Sequence, residues 1–174
     1  MPIVSIDSLP DDARVWVFAA RDPVVGDAEH DLLAVTDDFL AAWRAHGHPL
    51  TAARDWREAR FLCIAVDQHT VGASGCSIDG MFRSLRELEG RVGTSLLTAS
   101  LLFWRDGTGQ VIAGTRQQFA DASAAGVVRA ETPVFDCTIA TLGEWRCHFE
   151  RPASESWHAR WLPLHSSFSP PSSP

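Results

Sequence analysis

Apolar and polar positions along this chain switch between two periods, and the switches mark its elements. Arg14-Val15-Trp16-Val17-Phe18-Ala19-Ala20 is rich in β-branched and aromatic residues and predicts a strand. Asp27 is a candidate helix cap. After it, Leu32, Val35, Phe39 and Trp43 recur at a three-to-four spacing, with Leu33 and Leu40 alongside. That spacing predicts a helix to about His46, stopped by Gly47 and Pro49. Thr51 to Glu58 predicts a polar, half-exposed strand. Phe61-Leu62-Cys63-Ile64-Ala65-Val66 is apolar throughout, as a central strand buried on both faces would be. Residues 80–92 predict a second helix, with Met81, Phe82, Leu85, Leu88 and Val92 toward the core and Gly93 as its stop.

The second half is shorter-stepped. Leu101-Leu102-Phe103-Trp104-Arg105 and Gln110-Val111-Ile112-Ala113 flank Asp106-Gly107-Thr108-Gly109, which is a hairpin signal. Thr115 and Gln118 have the spacing of a capping box, predicting a helix over 116–125 ended by Gly126. Thr132-Pro133-Val134-Phe135-Asp136 predicts a short strand, with Pro133 placing it near a sheet edge. Residues 138–149 show no clear period. Ser154 to Leu162 predicts a short helix carrying Trp157 and Trp161 on one face.

The element order predicts a single α+β domain. Its sheet is expected to be mostly antiparallel with helices on one face, a ferredoxin-like βαββαβ start and a C-terminal extension. Residues 1–13 read as a turn-rich N-terminal segment, 14–163 as the domain, and 164–174 as a disordered Ser/Pro tail. A chain of 174 residues is long enough to bury one core.

Charge and composition remove several functions. The net charge of −7 argues against nucleic acid as a partner, since a phosphate backbone needs a basic face. All 15 basic residues are arginine, and tyrosine is absent. Schiff-base lysine, phosphate-loop lysine and catalytic tyrosine chemistry are therefore excluded. The 4 cysteines (Cys63, Cys76, Cys137 and Cys147) form no CxxC pair. With no leader-like N-terminus and no apolar run of membrane length, a cytoplasmic protein without a membrane partner is expected. No cofactor is implied, and His46-Gly47-His48 lacks the partners that a metal site requires.

The densest chemistry lies in Val71-Gly72-Ala73-Ser74-Gly75-Cys76-Ser77-Ile78-Asp79, between the central strand and the second helix. Small residues at such a junction expose backbone N–H groups, and the helix start adds partial positive charge. Cys76 is the candidate nucleophile, with Ser74, Gly75, Ser77 and Asp79 as candidate ligand-binding residues. Six residues separate Cys76 from Arg83, so the CX5R loop of cysteine phosphatases is excluded. His158 is the candidate base for Cys76, and Arg160 a candidate ligand contact. The competing reading is a tight turn of small residues, with Cys76 inert and Asp79 as the helix cap.

Gly72-Ala73-Ser74-Gly75-Cys76-Ser77-Ile78-Asp79, with Thr132–Asp136 and Ser156-Trp157-His158-Ala159-Arg160, resembles a family of small uncharacterised bacterial proteins. Some members carry the label "ABC transporter ATPase". That label requires GxxxxGK[ST], which a chain without lysine cannot supply. The resemblance implies a shared fold over residues 14–162 and a shared site, not an activity. Two functions follow as expectations. The first is binding of a small anion or acyl group, or thiol-dependent catalysis, at Gly72–Asp79. The second is a non-enzymatic interaction module using the Trp-rich C-terminal region, with the loop purely structural.

Overall fold

Alternation of side chains decides how the strands stack. The computed structural model describes residues 4–69, 71–97 and 100–163, so the expected Ser/Pro tail lies outside the described residues. After a 3₁₀ turn at Ile6–Ser8, β1 (Arg14–Ala19) leads into α1 (Asp27–Ala42). Gly26, rather than Asp27, is the N-cap of α1. The helix ends short of His46. Its periodic residues stop at Trp43, and β2 (Arg44–Ala45) turns back on β3 (His48–Pro49) through His46 and Gly47, both with positive φ. β4 (Ala52–Arg57) and β5 (Phe61–Val66) follow, then α2 (Gly75–Val92). Gly93, at φ 70°, closes α2 in the left-handed conformation that glycine adopts most readily.

Beyond it come β6 (Leu101–Arg105), β7 (Val111–Thr115), α3 (Arg116–Ala124) and β8 (Pro133–Phe135). The expected Thr115–Gln118 capping box starts α3. The segment without a period holds α4 (Leu142–Cys147), started by a Thr141–Glu144 capping box. β9 (Glu150–Pro152) then pairs with β8, so β8 is an inner strand and not an edge. Pro133 is tolerated there because it opens the strand, outside the paired stretch of β6. The expected C-terminal helix is two 3₁₀ turns, Ala153–Glu155 and Trp157–Trp161.

The fold is α+β, and all its named strand pairings are antiparallel. The larger strands form two sheets, ordered β1-β5-β4 and β7-β6-β8-β9. In the first sheet β5 thus lies between β1 and β4. The next strand, β6, joins the second sheet instead of extending the first. The core explains why. Leu62, Ile64 and Val66 on one face of β5 meet Leu32 and Leu40 of α1 and Met81, Leu85 and Leu88 of α2. Phe61, Cys63 and Ala65 on its other face meet Phe103, Phe135, Trp145 and Phe149. A third cluster joins Leu102, Trp104 and Val134, on the outer face of the second sheet, to Phe119 and Trp157. Helices therefore cover the outer face of each sheet, and the two sheets bury their inner faces against each other. Phe61 sits at the centre of that interface, with ring centroids 4.7–5.1 Å from Phe103, Phe135 and Phe149.

Candidate functional site

The Gly72–Asp79 stretch folds as a helix start. Ser74 is the N-cap of α2 and Ser77 completes a capping box. Ser74 N–H donates to Ser77 Oγ at 2.9 Å, and Ser77 Oγ–H donates to Ser74 O at 2.8 Å. Ser77 N–H in turn donates to Ser74 Oγ at 3.4 Å, so both hydroxyls engage the backbone. Trp43 Nε1–H donates to Ser77 O at 2.9 Å, tying this start to the end of α1. Asp79 is not the cap. It is an exposed residue of α2 and lines a shallow depression with Phe82, Arg83 and Arg86. Gly75 is exposed, and a Cβ there would meet nothing within 4 Å. Cys76 is also exposed, on the first turn.

His158 has entirely different surroundings. It is fully buried, stacks on Trp157 at 4.0 Å between ring centroids, and lies 5.6 Å from Phe119. Its Nδ1 is 2.8 Å from Ser156 Oγ, while Nε2 has no hydrogen-bond partner. Cys76 is therefore not hydrogen-bonded to His158, and the expected dyad is not assembled. Burial pushes the His158 pKa down to about 4, against the pull of Asp136, and Arg151 and Arg160 lower it further. The ring is neutral at pH 7.

His158 and Arg160 instead line a cleft of about 700 Å³ where the edge of β1 faces β6. This volume falls in the range of small-molecule sites. The bed is apolar: Trp16 and Phe18 from β1, Phe82 from α2, Leu101 and Phe103 from β6, and Trp157 beyond. The rim carries Arg86, Arg116 and Arg160, all exposed. Among the described residues, no acidic side chain lines the cleft and none of these arginines is in an ion pair. Arg54, Arg105 and Arg151, by contrast, are each held by a carboxylate. Arg160 spends its Nε–H on Trp157 O at 3.1 Å and lies over the Trp157 and Trp161 rings.

A buried carboxylate outside the lining anchors the residues of the far wall. Asp136 Oδ1 accepts from Thr138 N at 3.0 Å, Thr138 Oγ1 at 2.6 Å and Trp157 Nε1 at 2.8 Å, while Oδ2 accepts from Arg151 at 2.7 Å. Burial raises its pKa, but these hydrogen bonds outweigh it and hold the carboxyl below its ordinary value. Cys137, beside it in the lining, is pushed up to about 12 by burial, so its thiol stays protonated.

Sequence reasoning placed His158 and Arg160 in a site and missed Arg86, Arg116 and Thr138. Asp136-x-Thr138 is a recognisable side-chain-to-backbone turn, and that signal marks the wall. The two rim arginines carry no local signal, because only the packing of α2 and α3 brings them to one cleft. Among the described residues, no group of three or more His, Cys, Asp or Glu could hold a metal ion, and no helix is long and apolar enough to cross a membrane. No family model, curated protein or solved structure matches the chain.

Proposed function

We infer that this protein binds a small ligand carrying an anionic group and an apolar body, in the cleft between β1 and β6. The observation that carries this reading is the set of three arginines, none in an ion pair among the described residues, around an apolar bed in a chain of net charge −7. Cations without an ion-pair partner, around a cleft that no acidic side chain lines, favour an anion, and the bed favours hydrocarbon. The binding class is that expected from the sequence, moved from the Gly72–Asp79 turn to the cleft. The Trp-rich C-terminal region takes part through Trp157, whose indole N–H is already engaged by Asp136. In the GASGCSID resemblance, what relatives would share is then the cap that starts α2. A cytoplasmic setting belongs to the same proposal, supported by four free thiols.

Calorimetric titration with octanoate and with octanol tests the reading. Octanoate is expected to bind more tightly than octanol, with affinity falling as salt rises. Equal affinity for the two, or none for octanoate, would remove the anionic half of the reading.

A further inference from the structure

β1 is the outer strand of its sheet, and among the described residues its outer edge is covered only toward the ends. Val15 N–H donates to Ala140 O at 2.9 Å at one end, and Ala19 N–H donates to Leu96 O at 3.2 Å at the other. Backbone groups of alternate residues point to the same edge of a strand. Val17 N–H and C=O therefore face outward between the two covered ends. Among the described residues, neither group has a hydrogen-bond partner. Val17 is half-buried and lines the cleft. An unpaired strand edge is a template for another extended chain.

Among the described residues the uncovered length is one residue, Val17, so one ligand amide and one ligand carbonyl satisfy it. Phe82 and Leu101 line the same cleft with apolar surface, and Arg86, Arg116 and Arg160 stand at its rim. A fatty carboxylate would use the bed and the rim but leave Val17 unpaired. A peptide uses all three.

We propose that the cleft takes a short acidic peptide, one residue of which pairs with Val17 as an added strand while its carboxylate faces Arg86, Arg116 and Arg160. This rests on reading the cleft as a site for an anion with an apolar body. Val17 supplies affinity through the main chain, the bed selects apolar side chains, and the arginines select the acid.

The full chain, labelled with ¹⁵N at valine, is titrated with three probes. These are a pool of N-acetyl tripeptides with one Asp or Glu beside two apolar residues, the same pool N-methylated at every backbone amide, and octanoate. The peptides are expected to bind and to slow hydrogen exchange at the Val17 amide about tenfold or more, and N-methylation to weaken binding about tenfold. Octanoate should bind without protecting Val17. Peptide binding that leaves Val17 exchange unchanged, or that tolerates N-methylation, overturns strand addition. A pool with Asn and Gln in place of Asp and Glu that binds equally overturns the acidic requirement. Binding of octanoate alone sinks this proposal and leaves the cleft reading standing; failure of every probe at millimolar concentration sinks both.

Discussion

Trp157 Nε1–H donates to Asp136 Oδ1 at 2.8 Å, which joins the end of β8 to the C-terminal 3₁₀ turn. The same carboxylate holds Thr138 and Arg151, so one buried charge positions both the Thr138 and the Trp157 parts of the cleft wall. Asp136→Asn turns the charged acceptor into a neutral amide facing the Arg151 donor. It is expected to destabilise the fold by about 3 kcal/mol, since it leaves a partly buried charge without its partner. Urea denaturation measures this; a loss within experimental error would mean the wall does not depend on the carboxylate.

The same residue sets an acid limit. Its folded pKa is below its unfolded value, so its contribution is present above the ordinary carboxylate range and is lost as pH falls through the folded pKa. His158 acts in a higher window. Its pKa falls from 6.5 to about 4 on folding, so above pH 6.5 it is neutral in both states. Below that, the unfolded state takes up a proton that the folded state refuses. Stability therefore declines as pH drops from 6.5 toward 4, by a total on the order of 3 kcal/mol. Denaturation curves across that interval should lose this slope in His158→Phe, which keeps a ring against Trp157. An unchanged slope would assign the pH dependence elsewhere.

Ser74→Ala tests whether the turn before α2 is purely structural. Removing a cap oxygen costs about 1 kcal/mol. The variant should unfold at lower denaturant and bind octanoate as the parent does. Weakened binding at matched folded fraction would return the site to the turn.

Packing within the second sheet is equally specific. A Cβ on Gly114 would lie 2.6 Å from Trp104 Cη2, and Trp104 is itself buried against Phe119. Gly114→Ala is therefore expected to cost about 1–3 kcal/mol through overpacking, measurable as a lowered Tm. A neutral result would show that Trp104 moves freely.

What could be read from the chain follows from the range over which each signal acts. The Phe61–Val66 run has no polar position, and that alone marks a strand covered on both faces. The Thr115–Gln118 box and Gly93 act within a few residues and appear as expected. Asp79 shows where such reading stops. It is an ordinary cap residue, yet Ser74 and Ser77 start the helix a turn and more earlier because each hydroxyl accepts from the other's backbone N–H. The departure of β6 to a second sheet is decided by Phe61 finding Phe103 and Phe135, contacts over long sequence separation. His158 and Arg160 could be singled out within one string, but their cleft is completed by Arg86 and Arg116 from two other helices. No short window contains that arrangement.

The most direct test of the cleft as the binding site is the set of tryptophan indole ¹H–¹⁵N signals recorded as octanoate is added. Trp157 lines the cleft, whereas the Trp43 indole is hydrogen-bonded at the start of α2. The account predicts a saturable shift at Trp157 that is lost when Arg86, Arg116 and Arg160 are all changed to alanine, with Trp43 little affected. A shift at Trp43 with Trp157 silent, or an identical response in the triple variant, would contradict it.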